Sequence, residues 1–310
     1  MSESVALEAW TIGRILTWSV DYLRAKGQIE SPRLDAELLL GHALKLARIQ
    51  LYTQYDKPLN AAEREPFKAF LQRRSRGEPV AYITGEKEFM GYRFEVSSAV
   101  LIPRPDTELL VELILEWSKA STPEQLSTWR ILDVGTGSGC IATSLALKLA
   151  SSHVHVSAWD LELLALANAK ANAERLGASV AFSQCDALAA ASWDGVGTQP
   201  YDMIVSNPPY IAPAEAPDLP CSVAAFEPQQ ALFAPPDGLS FYRALAAFAP
   251  RLLKPGGRLA VEIGSTQAAA VQQLFAEAGW QQISLRKDWS RLDRVVSAVR
   301  PAASDGSAGA

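Results

Sequence analysis

The chain has 310 residues, of which 48% are hydrophobic and 20% charged, with 29 Lys and Arg against 34 Asp and Glu. This length allows two domains, and the hydrophobic content excludes wholesale disorder, collagen-like repeats and low-complexity sequence. The formal net charge of −5 lacks the basic field that favours sequence-independent attraction to phosphate backbones, so it disfavours direct binding of nucleic acid.

Charge is divided unevenly along the chain. Residues 1–90 carry 13 basic and 12 acidic side chains, a net of +1, whereas residues 91–310 carry 16 and 22, a net of −6. A near-neutral segment joined to an acidic one suits a folded protein partner better than a phosphate backbone.

Cysteine spacing and the start of the chain predict the compartment. Cys140, Cys185 and Cys221 show neither CxxC spacing nor a paired framework, which favours a reducing environment. The first residues contain no basic segment before an apolar run, and no run approaches the ~18 apolar residues of a membrane-spanning helix. We therefore expect a cytoplasmic protein with no membrane partner.

The first 80 residues predict a helical-bundle domain. Apolar residues at helical spacing are Ile12, Ile15, Leu16 and Leu23, then Leu34, Leu38 and Leu39, then Phe67, Phe70 and Leu71. Ser31 followed by Pro32 predicts the start of the second of these helices, and Asn60 with Glu63 predicts a capping box at the start of the third. Gly27 predicts the end of the first helix, and Gly77 predicts the end of the third.

Residues 81–105 predict a linker that contains a β-hairpin. The segments Tyr82-Ile83 and Tyr92–Val96 are short aromatic and β-branched runs, and Gly85 and Gly91 interrupt them. Such runs between glycines are typical of short strands and tight turns.

Residues 106–300 predict an α/β domain. Strands are expected over 130–134, 154–159, 180–184, 203–206, 258–263, 281–285 and 294–299, and helices over 141–150, 161–176, 239–253 and 267–278. Alternation of this kind predicts a mostly parallel sheet covered on both faces. The last two strands have no long helix between them and suit an antiparallel pair at one edge. Residues 301–310 are small and polar and are expected to form a disordered tail.

A glycine loop follows the strand at 130–134. Gly135, Gly137 and Gly139 alternate directly after that strand and before a helix, where glycine lets the backbone approach a ligand closely. Asp133, before the first glycine, suggests a ligand with a cationic group. The alternative is a tight turn without a ligand.

Two further acidic residues end neighbouring strands. Asp160 can accept both hydroxyls of a ribose, and Asp186 can reach an adenine amino group. Either aspartate could instead cap a helix start.

The element Asn207-Pro208-Pro209-Tyr210 ends the strand at 203–206. The side-chain oxygen of Asn207 and the carbonyl of Pro208 are both acceptors, so together they can hold the two hydrogens of one planar NH₂ group. An amide or exocyclic amine nitrogen is a weak nucleophile, and placing it in line with an electrophilic methyl is a proximity mechanism. Tyr210 can pack against the substrate plane and tolerate a positive sulfur nearby. The alternative is a stiff structural turn.

These motifs resemble the class I S-adenosylmethionine-dependent methyltransferases, and within them the HemK/PrmC family of protein-glutamine methyltransferases. The Asn-Pro-Pro-Tyr element is shared with adenine-N6 methyltransferases, so other stretches carry the distinction. They are Thr84-Gly85-Glu86-Lys87-Glu88-Phe89, Leu101-Ile102-Pro103-Arg104-Pro105-Asp106-Thr107-Glu108, Phe226-Glu227-Pro228 and Ala231-Leu232. The resemblance implies a Rossmann-like seven-stranded methyltransferase sheet, joined by a β-hairpin linker to a small helical domain that recognises substrate. It also implies methylation of the side-chain nitrogen (N5) of the glutamine in the Gly-Gly-Gln motif of class I peptide chain release factors, which modulates translation termination.

The resemblance further implies which residues hold the cofactor, S-adenosyl-L-methionine, and which form the glutamine site. The cofactor residues are Asp133, Gly135, Thr136, Gly137, Ser138, Gly139, Asp160, Asp186, Ala187 and Asn207, and the catalytic ones are Asn207, Pro208, Pro209 and Tyr210. Ala187 departs from relatives that have an aromatic residue beside the adenine, so Phe182 or Leu188 is left to supply apolar contact. For Arg104 and Glu108 an alternative to a site role is a salt bridge that anchors the linker.

The sequence leaves other functions and sites open. The second hypothesis is adenine-N6 methylation of nucleic acid, which calls for a basic groove; a cofactor-binding regulator and an NAD-dependent dehydrogenase are less favoured. His42, His153 and His155 lack the partners of a metal set and are expected to be structural, so no metal is predicted.

The cluster of Arg64, Lys68, Arg73, Arg74 and Arg76 predicts a solvated helix face that could dock a release factor. A monomer is expected.

Overall fold

The computed structural model describes residues 9–27, 29–126, 128–150, 154–194 and 199–302. The chain divides into two compact units. The first comprises the residues up to Glu86 together with Pro220–Phe226, and the second comprises Lys87–Leu219 and the residues from Glu227 onward. The predicted tail, 301–310, lies outside the described residues from position 303.

The helices and strands alternate largely as the sequence predicts. The helices are α1 (Ile12–Arg24), α2 (Pro32–Leu44), α3 (Arg48–Thr53), α4 (Ala61–Arg74), α5 (Val80–Thr84), α6 (Glu108–Lys119), α7 (Pro123–Leu126), α8 (Cys140–Lys148), α9 (Leu163–Leu176), α10 (Cys221–Ala224), α11 (Ser240–Phe248) and α12 (Ala268–Glu277). The strands are β1 (Glu86–Phe89), β2 (Tyr92–Glu95), β3 (Arg130–Val134), β4 (His155–Asp160), β5 (Val180–Gln184), β6 (Tyr201–Ser206), β7 (Leu253–Glu262), β8 (Gln281–Lys287) and β9 (Asp293–Val299).

The first unit is a bundle of α1 to α5, and its α2 buries only one of the three predicted apolar residues, Leu39. Leu34 and Leu38 remain 40% and 38% exposed, whereas Leu40 is fully buried. The buried side of α2 also carries Asp35 and Glu37, which are neutralised by arginines. These buried charges interrupt the apolar period, and that is why the sequence pattern wrongly placed Leu34 and Leu38 on the buried side.

The helix starts in this unit give one confirmed cap and one correction. The Asn60 side chain accepts the Glu63 N–H at 3.0 Å, and the Glu63 carboxylate accepts the Asn60 N–H at 2.9 Å, so the predicted capping box is present. Ser31 precedes α2 as predicted, but its side chain makes no capping hydrogen bond. Pro32 at the first position instead supplies the favourable backbone angle.

The predicted hairpin is present, but it begins later than expected. Tyr82-Ile83, predicted as part of a strand, lies in α5, which ends at Gly85 in a left-handed conformation. Strands β1 and β2 pair across a turn in which Met90 and Gly91 have φ of 53° and 84°. Two consecutive positive φ angles match the twist of a two-residue hairpin turn.

The second unit is built on a seven-stranded sheet with the order β5-β4-β3-β6-β7-β9-β8. Strands β3 to β7 pair in parallel, whereas β9 pairs antiparallel with both β7 and β8. This confirms the predicted parallel sheet and its antiparallel edge. Helix α6, which the sequence reading did not identify, buries Leu110 and Ile114 in this unit's core.

The sheet brings the sequence motifs to one edge. Val134, the last residue of β3, pairs with Trp159 of β4 on one side and with Ser206 of β6 on the other. Because parallel strands end on the same side, the residues that follow β3, β4 and β6 meet at the carboxyl edge, where doubly wound sheets bind ligands.

Candidate active site

The glycine loop turns the chain from β3 into α8. Gly135, Gly137 and Gly139 all have positive φ, at 74°, 55° and 79°. A Cβ on Gly139 would lie 3.0 Å from the Cβ of Ala169, so this glycine allows α8 and α9 to pack closely. A Cβ on Gly135 or Gly137 would meet no atom of the described residues within 4 Å, apart from those of the adjacent residues in the chain. Their open sides leave space for a ligand to approach the backbone.

Asp133 is a fully buried carboxyl at the base of this loop. Its Oδ2 accepts the Thr136 hydroxyl at 2.7 Å and the Ala142 N–H at 3.2 Å. Its Oδ1 is buried and has no hydrogen-bond partner in the part of the chain that the structure describes, and the same holds for Ser138 Oγ. Burial raises the pKa of Asp133 to about 7. A buried acceptor without a donor is suited to a cationic group supplied by a ligand.

Asp160 braces the glycine loop from the end of β4. Its Oδ2 accepts the Gly137 N–H at 2.8 Å and its Oδ1 accepts the Glu162 N–H at 3.0 Å. Burial raises its pKa, although these two backbone donors oppose that shift. The local capping alternative is therefore present in the structure. Each carboxylate oxygen keeps a second lone pair, so ribose hydroxyls could still be accepted.

The turn after β5 places Asp186 and Ala187 beside the core. Asp186 Oδ1 accepts the Leu188 N–H at 2.9 Å, a local turn contact like that of Asp160. The Ala187 carbonyl accepts the indole N–H of Trp193 at 3.0 Å. Leu188 is 45% exposed, whereas Phe182 packs against the core of the unit. Of the two apolar candidates for an adenine contact, Leu188 is the more accessible.

Asn207 to Tyr210 follow β6 directly. The Asn207 side-chain N–H donates to Thr107 Oγ1 at 3.1 Å, which leaves its Oδ1 free of hydrogen bonds from the described residues. The Pro208 carbonyl likewise accepts no hydrogen bond from them. Two adjacent acceptors are thus available, as the sequence analysis expects of a site that holds an NH₂ group.

Tyr210 has a hydrogen-bonded backbone and a neutral side chain. The Tyr210 carbonyl accepts a hydrogen bond from Gln267 Nε2 at 2.8 Å. Burial and the neighbouring Glu262 raise the pKa of the Tyr210 hydroxyl to about 12, so it stays neutral. A neutral, fixed ring suits a packing role rather than proton transfer.

Two residues that the sequence analysis did not single out lie behind Asn207. Thr107 and Glu262 are 2% and 1% exposed, and the Thr107 hydroxyl donates to Glu262 Oε2 at 2.6 Å. Burial raises the pKa of Glu262 to about 7, and Thr107 opposes the shift. Glu262 is the last residue of β7, so the sequence feature that could have identified it is an acidic residue at the end of a strand.

The linker arginine forms a salt bridge, but not with Glu108. Arg104 pairs with Glu227 at 2.6 Å, and the Glu227 carboxylate also accepts the Ile102 N–H at 3.2 Å. Glu108 instead accepts the Met90 N–H in the hairpin turn at 2.6 Å. Two of the sequence stretches that carry the family resemblance therefore meet through Glu227, whose side chain is 1% exposed.

The predicted solvated basic face is corrected at one position, Arg74. Arg74 is 8% exposed and pairs with Asp35 at 2.7 Å, and Arg73 pairs with Glu78 at 2.5 Å. Arg74 stabilises the helical unit because removing it would leave the Asp35 carboxylate, whose side chain is 13% exposed, without its partner. The Arg73 side chain is 42% exposed, as predicted for a solvated face. Lys68 on α4 is exposed and remains available to a partner.

Histidine and membrane features add no further site. His42 packs against Phe70, and His155 is exposed at the start of β4. His153 lies outside the described residues. Within the described ranges no group of three or more His, Cys, Asp or Glu residues could hold a metal ion. Over the same ranges, no helix has the length and apolarity needed to cross a membrane.

Comparisons with known proteins cover nearly the whole chain. Residues 14–85 match the PrmC N-terminal domain, and residues 126–298 match a methyltransferase domain. A release factor glutamine methyltransferase of Chlorobaculum tepidum is 41% identical over 94% of this chain and 98% of its own length. One of Geobacter sulfurreducens is 41% identical over 93% and 96%. A solved protein-(glutamine-N5) methyltransferase of Alicyclobacillus acidocaldarius is 33% identical, covers 67% of this chain and 99% of its own, and has a TM-score of 0.36.

Proposed function

The chain belongs to the family of release factor glutamine methyltransferases, and we propose that it transfers a methyl group to the N5 nitrogen of the glutamine in the Gly-Gly-Gln motif of class I release factors. The observation that carries this proposal is the pair of acceptors, Asn207 Oδ1 and the Pro208 carbonyl, that accept no hydrogen bond from the described residues and lie at the carboxyl edge of the sheet. A primary amide offers two N–H donors in one plane, and these two acceptors match them.

The chain's own residues provide orientation rather than a strong base. Asn207 and the Pro208 carbonyl would fix the amide plane of the substrate and draw electron density toward its nitrogen. Tyr210 would pack against that plane. An amide N–H is too weakly acidic to be removed first. The nitrogen would therefore gain its methyl as the bond between that methyl and the donor sulfur breaks, leaving a neutral thioether, and would then release its proton to water. Positioning of this kind can supply most of a bimolecular rate enhancement.

S-adenosylmethionine is the proposed methyl donor, and it supplies a methyl made electrophilic by a sulfonium centre. The residues present fit such a ligand. Asp133 Oδ1 and Ser138 Oγ are buried polar atoms that have no hydrogen-bond partner among the described residues, and Gly135 and Gly137 leave open space beside the loop. Asp160 would hold the ribose, and Asp186, Ala187 and Leu188 would border the adenine. Titration of the protein with S-adenosylhomocysteine tests this assignment.

The helical unit is the proposed contact for the release factor. Its near-neutral charge and exposed groups such as Trp18, 50% exposed, and Lys68 suit a protein surface. Release factors act in the cytoplasm, so we place the enzyme there, as a monomer.

The deciding experiment offers labelled S-adenosylmethionine and one of three acceptors to the full chain. They are a release factor, the same factor with its Gly-Gly-Gln glutamine replaced by alanine, and duplex DNA. The proposal expects label only in the unaltered factor. Label in DNA would support adenine-N6 methylation instead, and equal label in the substituted factor would refute the glutamine assignment.

A further inference from the structure

Asn207 is connected to two buried residues that contribute nothing directly to the surface of the site. Its Nδ2 donates to Thr107 Oγ1 at 3.1 Å, and Thr107 Oγ1 donates to Glu262 Oε2 at 2.6 Å. Thr107 closes the short 3-10 turn Pro105–Thr107 before α6, and Glu262 is the last residue of β7. All three residues belong to the second unit.

When Glu262 is ionised, the chemistry of these groups determines the direction of every hydrogen bond. An ionised carboxylate can only accept, and a hydroxyl has a single hydrogen. When the Thr107 hydrogen is committed to Glu262, Thr107 can only accept from Asn207. The Asn207 amide must then turn its NH₂ toward Thr107 and its oxygen toward the site.

The alternative amide orientation would harm the proposed reaction. An Asn side chain rotated by 180° has nearly the same shape, so packing alone discriminates weakly between the two orientations. A flipped Asn207 would point its NH₂ at the NH₂ of the substrate, donor against donor. The residue would still be present but would no longer hold the nitrogen to be methylated.

Glu262 is itself fixed in place. Its backbone carbonyl accepts the Tyr242 hydroxyl at 3.0 Å. Arg294 and Arg104 act on its carboxyl as positive charges, and Asp106 acts as a negative one. Arg294 is in turn held by Asp288 at 3.0 Å and by Asp106 at 3.2 Å. The carboxyl therefore has a defined position. Burial raises its pKa to about 7, and above that pH it is ionised and can only accept hydrogen bonds.

We propose that Thr107 and Glu262 are positioning residues that fix the amide orientation of Asn207 so that its oxygen faces the substrate nitrogen. The inference rests on the proposed function for its catalytic consequence. The orientation itself is a property of the free protein and can be tested without substrate.

The kinetic test uses Thr107→Val, which removes the hydroxyl and keeps the shape, and Thr107→Ser, which keeps the hydroxyl. We expect kcat for release factor methylation to fall about tenfold in Thr107→Val, as for the loss of one orienting hydrogen bond, with KM little changed. Thr107→Ser should recover most of the turnover. Thr143→Val is the matched control, since Thr143 is equally buried but its hydroxyl has no partner among the described residues. That control should keep the turnover of the unaltered protein.

A double variant separates positioning from general damage to the fold. If Thr107 acts through Asn207, Thr107→Val should cause no further loss of turnover in an Asn207→Ala background. A full additional tenfold loss there would overturn the proposal. So would unchanged turnover in the single Thr107→Val variant.

A spectroscopic test keeps the inference separate from the proposed function. The two side-chain amide protons of Asn207, observed by ¹⁵N NMR in the free protein, should exchange slowly in the unaltered chain and in Thr107→Ser. They should exchange faster and shift in Thr107→Val. Equal exchange in all three refutes the orientation. If the orientation is observed but the unaltered protein does not methylate a release factor, the proposed function fails and the positioning role in the free protein stands.

Discussion

The buried carboxyl of Glu262 predicts a specific dependence of stability on pH. Its pKa is raised from 4.5 to about 7, with burial as the largest cause. Between these two pH values the folded chain holds a proton at this site that the unfolded chain has released. The free energy of unfolding must therefore fall as pH rises from 4.5 to 7, and change little from this source above 7.

Glu262→Gln removes this pH dependence of stability while keeping the shape of the side chain. Its side-chain carbonyl can still accept the Thr107 hydroxyl, which Glu262 accepts at 2.6 Å. A pKa raised from 4.5 to about 7 corresponds to about 3 kcal/mol of destabilisation once the group is ionised. The free energy of unfolding of the variant, minus that of the unaltered protein, should therefore increase by about 2 to 3 kcal/mol as pH rises from 5 to 8.

Urea unfolding at several pH values measures this difference. The transition of the second unit should be followed for both proteins at pH 5, 6, 7 and 8. Asp133, whose pKa is also raised to about 7, affects both proteins alike, so the difference between them isolates Glu262. Parallel stability curves across this range would show that the carboxyl does not carry the burial cost inferred from the structure.

Four further predictions concern the site and its supports. Asn207→Ala should lower methyl transfer on the order of a hundredfold while S-adenosylhomocysteine affinity, measured by calorimetry, stays nearly intact. Gly135→Ala should weaken that affinity about tenfold, whereas Gly177→Ala, at the same φ of 74° and with equally open surroundings, should leave it unchanged. Arg104→Met should lower the free energy of unfolding in urea by about 2 kcal/mol, because it leaves the buried Glu227 carboxylate without its partner. The cost is moderate because Arg104 itself is only partly buried. Lys68→Glu should raise KM for the release factor about fivefold and spare cofactor binding, as expected of an exposed charge that contacts a partner. Unchanged kinetics would remove Lys68 from the docking surface.

The sequence predicted the sheet well because its central strands β3, β4 and β6 contain short apolar runs between turn residues. Strands β3 and β5 have the predicted bounds, and the antiparallel pair at the edge follows from the missing helix between β8 and β9. Because parallel strands end on the same side of a sheet, the predicted strands also placed the glycine loop and Asn207 correctly at its carboxyl edge.

Prediction failed where burial depends on partners distant in sequence. The buried face of α2 includes Asp35, which is tolerated there because Arg74 lies 39 positions later. The partner of Arg104 is Glu227, 123 positions away, rather than the nearby Glu108. Thr107 reaches Asn207 across 100 positions. No periodicity or local motif encodes such pairs, because the fold alone brings them together.

The central claim is that Asn207 and Pro208 present a glutamine amide for methylation, and mass spectrometry of the product tests it most directly. A release factor incubated with the full chain and S-adenosylmethionine should be digested and its peptides sequenced by fragmentation. The account predicts one added methyl on the side-chain nitrogen of the Gly-Gly-Gln glutamine, and a nearly unmodified peptide when the enzyme is Asn207→Ala. A methyl on any other residue, or an equal yield from that variant, would contradict it.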